Sequence, residues 1–259
     1  MKKLLSILIV LALTTIAVAQ DRSDNGFLID LLEDQLSTDS RQIRLFGVDG
    51  ALSSQATVEQ ITIADTEGVW LEINDAVVDW NRTALLQGRV EVNRLAAGSI
   101  DILRGPRPDP SLPTPEARPI TIPQLPVSVD LAELSLDRVT FGEALFGLPA
   151  EVSLTGNIKL EDGSLEPGLD MQRLDGAGGQ FDLSVDYQAE AQTLAVDVML
   201  DEPENGIVAN LLSIEDRPSI ALTLLGDGPI ANLDMVLDLQ ASGQPLVSGD
   251  LALREVGAD

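Results

Sequence analysis

Apolar and polar residues alternate with a period of two along most of this chain, from about Ile43 to Leu253. Phe181, Leu183, Val185 and Tyr187 interleave with Asp182, Ser184 and Asp186. Leu194, Val196, Val198 and Leu200 interleave with Ala195, Asp197 and Met199. Leu233, Met235, Leu237 and Leu239 interleave with Asp234, Val236 and Asp238. Successive side chains of a β-strand point to opposite faces, so each run is a strand with one oily and one solvated face. The pattern predicts strands at 43–48, 56–64, 69–73, 77–80, 89–95 and 100–103, within a first β segment over 41–104. It predicts a second set, within 127–259, at 127–131, 133–141, 151–160, 169–174, 180–187, 193–200, 219–224, 232–240 and 246–254. Strands separated by such short turns form a meander and pair antiparallel, because parallel pairs need long crossovers.

Other segments break this rhythm. Residues 105–126 carry Pro at 106, 108, 110, 113, 115, 119, 123 and 126, a density that forbids helix or central strand and reads as an extended linker. Gly176-Ala177-Gly178-Gly179 reads as a turn, and Gly226-Asp227-Gly228-Pro229 as a tight turn between Leu224 and Leu233. Residues 206–212 suit one short helix, with Ile207, Val208, Leu211 and Leu212 on one face. Within 20–40, residues 26–37 form an amphipathic helix with Phe27, Leu28, Leu31, Leu32 and Leu36 opposite Asp30, Glu33 and Asp34. Its acidic face suits a cap on the open end of the sheet better than a membrane surface, where Lys and Arg prevail.

Residues 1–19 read as an export signal. Lys2 and Lys3 precede the apolar run from Leu4 to Val18, and Ala17-Val18-Ala19 fits a cleavage site. The run is short beside the roughly 20 residues of a membrane span. A cleaved signal is the favoured reading, and an uncleaved anchor is the alternative. No later stretch is long and apolar enough to span a bilayer.

Composition narrows the chemistry. Net charge is -26 from 42 acidic and 16 basic residues, which excludes nucleic acid as a partner, since phosphates need clustered Lys and Arg. The acidity instead solvates the polar sheet face. With no His and no Cys, there is no Ser-His-Asp triad, no thiol nucleophile, no disulfide and no ordinary zinc site. Some pair of carboxylates will always lie close in so acidic a chain. A sugar site would still lack platforms, with only Trp70, Trp80 and Tyr187 to serve. The chain reads as a non-enzyme without cofactor or metal. The apolar sheet face is then either a core closed by a second sheet or an open surface for acyl chains or an incoming strand.

One block of the first segment is more specific. Asp65-Thr66-Glu67-Gly68-Val69-Trp70-Leu71 is followed by Asp75-Ala76-Val77-Val78-Asp79-Trp80-Asn81 and Ala84-Leu85-Leu86-Gln87-Gly88-Arg89-Val90. This resembles the N-terminal region of the TamB family, the inner-membrane component of the translocation and assembly module, within the AsmA-like superfamily. Weaker matches follow at 100–106, at Leu174-Asp175-Gly176 with Gly179, and from Arg217-Pro218 to Pro229, so the likeness covers most of 26–229. The resemblance implies a mainly β fold, an elongated antiparallel sheet with a hydrophobic concave groove. It implies a periplasmic bridge tethered to the inner membrane, with phospholipid as cargo and an Omp85-type outer-membrane barrel as partner. The implied roles are phospholipid transport and support of outer-membrane protein assembly and autotransporter secretion. Two features depart from the family: Ala17-Val18-Ala19 fits cleavage where relatives keep an anchor, and the family's chains are far longer, so this one reads as a fragment or truncated product. Strong alternators in the sequence make the groove candidates Ile61, Ile63, Val69, Leu71, Ile73, Val90, Val92, Leu183, Val185, Val196, Val198, Ile220, Leu222 and Leu224.

Overall fold

Thirteen strands join one sheet in the computed structural model. The structure describes residues 29, 33–34, 36–38, 40–50, 53–85, 87–107, 128–176 and 178–254. The export signal, most of the Pro-rich segment and most of the helix expected at 26–37 lie outside the described residues. The strands are β1 (Gln42–Asp49), β2 (Gln55–Asp65), β3 (Gly68–Trp80), β4 (Arg89–Ala97), β5 (Ser99–Ile102), β6 (Ser128–Phe141) and β7 (Ala150–Glu161). They continue as β8 (Ser164–Arg173), β9 (Gln180–Gln188), β10 (Thr193–Glu202), β11 (Ile220–Pro229), β12 (Asn232–Ala241) and β13 (Gln244–Arg254). Among the described residues three short helices lie between strands: α1 (Arg82–Leu85), α2 (Glu143–Phe146) and α3 (Ile207–Leu211). Among the described residues no helix is long and apolar enough to cross a membrane.

Spatial order follows chain order from β1 to β13, with β5 set beside β3 and β6. All neighbours are antiparallel except at one junction. There β6 runs parallel to both β4 and β5. This corrects the expectation of antiparallel pairing throughout. The physical reason is the Pro-rich stretch: it is long enough to carry the chain back to the start of the sheet edge, as a parallel neighbour requires. Strands β4 and β5 form one lane interrupted at Gly98, and β6 follows both at a constant register.

The apolar alternation slips in several strands, and in β6 the slips are bulges. In β6, Val129 and Leu131 are followed by Leu134 and Leu136, then by Val139 and Phe141. Each two-residue skip coincides with a register shift against β7, so all six stay opposite Leu160, Ile158, Gly156, Leu154, Val152 and Ala150. A bulge adds a residue on one strand while the ladder continues. In β3 the phase slips at Asn74 and Asp75, where Asp75 has φ +53°. The alternation alone predicts separate strands at 69–73 and 77–80, and at 127–131 and 133–141. The chain runs through both breaks, because a phase slip keeps the oily face in register without ending a strand.

Two further boundaries differ from the pattern. β11 extends through Gly226 to Pro229, so the glycines are strand residues and not the expected turn. A Cβ at Gly226 would strike the Met235 side chain on β12. β8 begins at Ser164, and its pairs with β9 skip Glu166 and Pro167, as an imino acid without an N–H dictates. Helix α3 falls within the expected 206–212. Helix α1 was not legible; its start is an Asx turn in which Asn81 Oδ1 accepts from the Thr83 N–H at 3.1 Å and hydroxyl at 2.7 Å.

The two ends of the sheet are finished differently. At the β1 edge, Glu33 accepts the Leu45 N–H at 2.7 Å and pairs with Arg44 at 2.7 Å, and Ser37 Oγ accepts the Ile43 N–H at 3.0 Å. Ile29, Glu33, Asp34 and Leu36 are helical. Glu33 is buried, which corrects its placing on the solvated helix face: its carboxylate satisfies the edge backbone of β1. Every residue of β13 is exposed.

Asp65 fixes the start of the crossover. Its carboxylate takes both Arg104 Nη1 and Nη2 at 2.7 Å and the N–H groups of Glu67 at 2.8 Å and Arg107 at 2.9 Å. Chiefly through the Arg104 hydrogen bonds, its pKa lies far below the usual carboxylate range.

Candidate functional site

Directly paired residues of neighbouring strands share a face. Following the pairs therefore traces how apolar positions line up across the sheet. One such row passes through eleven strands: Ala56, Val78, Leu95, Leu134, Gly156, Leu169, Leu183, Val198, Leu224, Leu237 and Gly249. Beside it runs Ala97, Leu136, Leu154, Met171, Phe181, Leu200, Leu222, Leu239 and Val247. A third row runs Leu45, Ile61, Ile73, Ile100, Val139 and Val152, and ends on Arg173.

The groove candidates fall into these rows or into apolar pairs beside them. Leu183, Val198 and Leu224 are consecutive in the longest, and Val185 lies opposite Val196. Ile61 faces Ile73, and Ile63 faces Leu71. Val90 and Val92 reach Leu160 and Ile158 through Val129 and Leu131. Leu222 sits between Leu200 and Leu239. Two candidates stand apart. Val69 lies past the register shift at the β2 end and is exposed. Ile220 is buried with Leu200 and Ala209 beneath α3.

Part of the apolar face is exposed. Leu95 in the longest row and Val247, Leu251 and Leu253 on β13 are exposed, and among the described residues the largest fully buried side chains are Leu233 and Val152. Burial contributes roughly 25 cal/mol per Å² of apolar surface, so a face left in this state retains a large favourable term for whatever covers it.

One pocket is built from this face. Met171, Arg173, Gly179, Gln180, Phe181, Leu200, Glu202, Ile207 and Val208 line a half-open cavity of about 240 Å³ whose walls are mostly apolar. Its roof is α3. Glu202 holds that helix in place: its carboxylate, buried, accepts the Ile207 N–H at 2.7 Å and the Val208 N–H at 2.9 Å. Arg173 enters from β8 with its side chain 6 % exposed. Its Nε and Nη2 donate to Asp175 at 3.0 and 2.6 Å. Its Nη1 is buried without a hydrogen-bond partner. An unpaired buried donor costs about 1–3 kcal/mol, so its persistence here requires a reason. Gly179 makes room, since a Cβ there would press on Arg173 Cδ at 3.3 Å.

Neither charge was singled out from the sequence, although the signal is present. Leu165, Pro167, Leu169 and Met171 lead by twos to Arg173, and Leu194, Val196, Val198 and Leu200 lead to Glu202. A charge in the oily phase of an alternating strand marks a buried and committed group.

The opposite face is acidic. Asp170 and Asp182 lie directly across from each other on β8 and β9. A hydrogen bond to Asp182, with some desolvation, raises the pKa of Asp170. Among the described residues no group of three or more acidic side chains is arranged to hold a metal ion.

Comparison with known proteins gives no relative: no family model, curated protein or solved structure matches the chain.

Proposed function

We propose that this chain is the N-terminal part of a TamB-like envelope protein whose sheet shields phospholipid acyl chains on their way across the periplasm. In this reading the apolar face is the concave groove, the acidic face meets water, and the protein also supports outer-membrane assembly with an Omp85-type barrel. It is tethered at the inner membrane where its N-terminal segment stays uncleaved. The observation that carries it is the unbroken apolar row through eleven strands, on a face that no second sheet covers among the described residues. Acyl chains gain roughly 0.8 kcal/mol per buried CH₂, so sliding along such rows needs no specific polar contact. No catalytic step is required, which agrees with the absence of His and Cys.

The test is mass spectrometry of lipids that co-purify with the full chain from the periplasm of a Gram-negative host. The expected result is stoichiometric phospholipid, with Val196→Asp and Leu222→Asp losing lipid to a greater extent than stability. Folded, β-rich protein free of lipid would sink the reading.

A second reading rests on β13. Its eleven residues are all exposed, and its outer backbone edge is a template for an incoming strand of a barrel protein by β-augmentation. Backbone pairing of β13 with such a peptide, detected by isotope-edited infrared spectroscopy without bound lipid, distinguishes it.

A further inference from the structure

We infer that residues 108–127 cross the apolar face of the sheet over β4 to β6, so that this part of the face is occupied by the chain's own Pro-rich segment. The inference goes beyond the lipid-shielding reading and is tested apart from it.

The path follows from where the described chain leaves the sheet and rejoins it. It leaves at Arg107, whose N–H donates to Asp65 beside the β2–β3 turn, and rejoins at Ser128, opposite Arg89. Ile102 is level with Phe141, so the return must run the whole length of β6. Its 14 residues span about 43 Å at ~3.3 Å per residue. The 20 residues of 108–127 would cover only about 30 Å as a helix, but about 62 Å as an extended polyproline chain. Extended chain alone makes the return, and the proline density enforces it. β4 and β5 have β3 on one side and β6 on the other, so the return passes over a face.

Chirality selects the face. In a strand of L-residues running upward, a residue whose side chain points at the viewer has its N–H and C=O on the right. Glu91 pairs with Asp130 on the polar face, and its carbonyl accepts the Asn81 N–H, at the end of β3, at 2.8 Å. Ile102 pairs with Leu71 and Phe141 on the apolar face, and its carbonyl accepts the Gly142 N–H, at the end of β6, at 2.8 Å. Seen from the polar face with β4 and β5 running upward, β3 is therefore on the right and β6 on the left. A return on the near side would make the crossover left-handed, and a return on the far side makes it right-handed. Parallel strands of one sheet are joined by right-handed crossovers in about 98 % of cases, and the far side is the apolar face.

The side chains of the segment agree. Residues 119–127 carry no charge and include Ile120, Ile122, Leu125 and Val127. On the polar face they would lie over Glu72, Glu91, Asp101 and Asp130; on the apolar face they meet Val92, Leu95, Leu131 and Leu134, of which Leu95 is exposed. Chain laid on hydrocarbon must satisfy its backbone N–H groups. Seven of the 20 residues are proline and have none to satisfy. The rows beyond β7 are then the part of the face left for a ligand.

A chain without Cys allows engineered pairs to report without background. Counting back from Ser128 at ~3.1 Å per residue brings Ile122 level with the Leu95–Leu134 pair. In the full chain, Ile122→Cys is combined either with Leu95→Cys on the apolar face or with Arg94→Cys on the polar face, and both are treated with a short bismaleimide. Arg94 and Leu95 are adjacent, so the two pairs differ chiefly in the face they probe. The Leu95 pair is expected to crosslink several-fold more than the Arg94 pair. The reverse would make the crossover left-handed and overturn the inference. Equal yields, or none from either pair, would mean that the segment docks on neither face and would overturn it too. Ile122→Asp supplies a second measurement and should lower the urea midpoint; an unchanged midpoint would count against docking. Neither result bears on Val196→Asp and Leu222→Asp in β10 and β11, so this inference and the lipid-shielding reading fail separately.

Discussion

The sheet is built in two manners on either side of β7. From β8 to β12 the meander is plain: the alternation runs unbroken within each strand, and each strand pairs antiparallel with its predecessor, with α3 carried in the connection from β10 to β11. From β1 to β6 the phase slips in β3 and twice in β6, the chain crosses over to make a parallel pair, and Asp65 clamps the crossover. The difference shows where stability is concentrated. A meander is held by local pairs and tolerates local change. The parallel junction depends on backbone contacts between residues distant in sequence, and a single atom added there has no side chain to push aside.

Gly142→Ala should show this most strongly. Gly142 follows β6, and its N–H donates to the Ile102 carbonyl at 2.8 Å. A Cβ there would collide with the Leu103 backbone oxygen, which can move only if β5 leaves β6. A loss of about 3 kcal/mol is expected in urea unfolding, at the top of the overpacking range. A wild-type midpoint would break the contrast between the halves.

Asp65→Asn should act next, and with a pH signature. The folded carboxyl has a strongly lowered pKa, so its contribution is present above the ordinary carboxylate value of about 4 and is lost as pH falls through the folded value. The variant should melt lower than the wild type at pH 7, and the gap should narrow as pH drops below about 4. A gap that stays constant down to strong acid would remove Asp65 as the electrostatic clamp of the crossover.

Gly226→Ala is the matched change in the meander, and a smaller loss of about 1 kcal/mol is expected. The added Cβ meets Met235 Cγ most closely, which a change of rotamer can move, while Met235 Cβ at 3.1 Å and the Asp234 carbonyl at 3.2 Å need give only by a few tenths of an ångström. Comparing the two glycine variants in one denaturant series sharpens the distinction, since a loss equal to that of Gly142→Ala would place the same rigidity in both halves.

The plain half is also the half that the sequence made readable. Strands β9, β10 and β12 lie within one or two residues of the alternation, because each residue there obeys one rule. In β3 and β6 the rule is obeyed on either side of a slip. Asn74-Asp75 and Ala132 fall between separate predicted strands, since alternation cannot distinguish the end of a strand from a phase slip within one. The parallel junction was illegible for another reason: proline density describes how a segment is extended, not where it leads. Of the site, the apolar rows were largely legible. The cavity was not, because its roof comes from a five-residue helix and Arg173 stands as the last member of an apolar series.

The smallest expected effect has the opposite sign and lies in the meander. Asp170 faces Asp182 across the β8–β9 ladder, and like charges directly opposite are destabilising. The folded state holds the Asp170 proton more tightly than the unfolded chain does. That proton's contribution is therefore complete below about pH 4 and disappears as pH rises through the raised folded value. Asp170→Asn keeps a donor for Asp182 at every pH. It should stabilise the protein at pH 7 by a few tenths of a kcal/mol, since solvent screens an exposed pair. Thermal melts should show the gain shrinking as pH falls through the raised pKa, and shrinking in high salt. A gain that persists unchanged in acid would mean that relief of repulsion is not its source. Absence of any gain at pH 7 would mean that the acidic face of the meander tolerates its charge through hydration alone, leaving only the first half dependent on specific electrostatics.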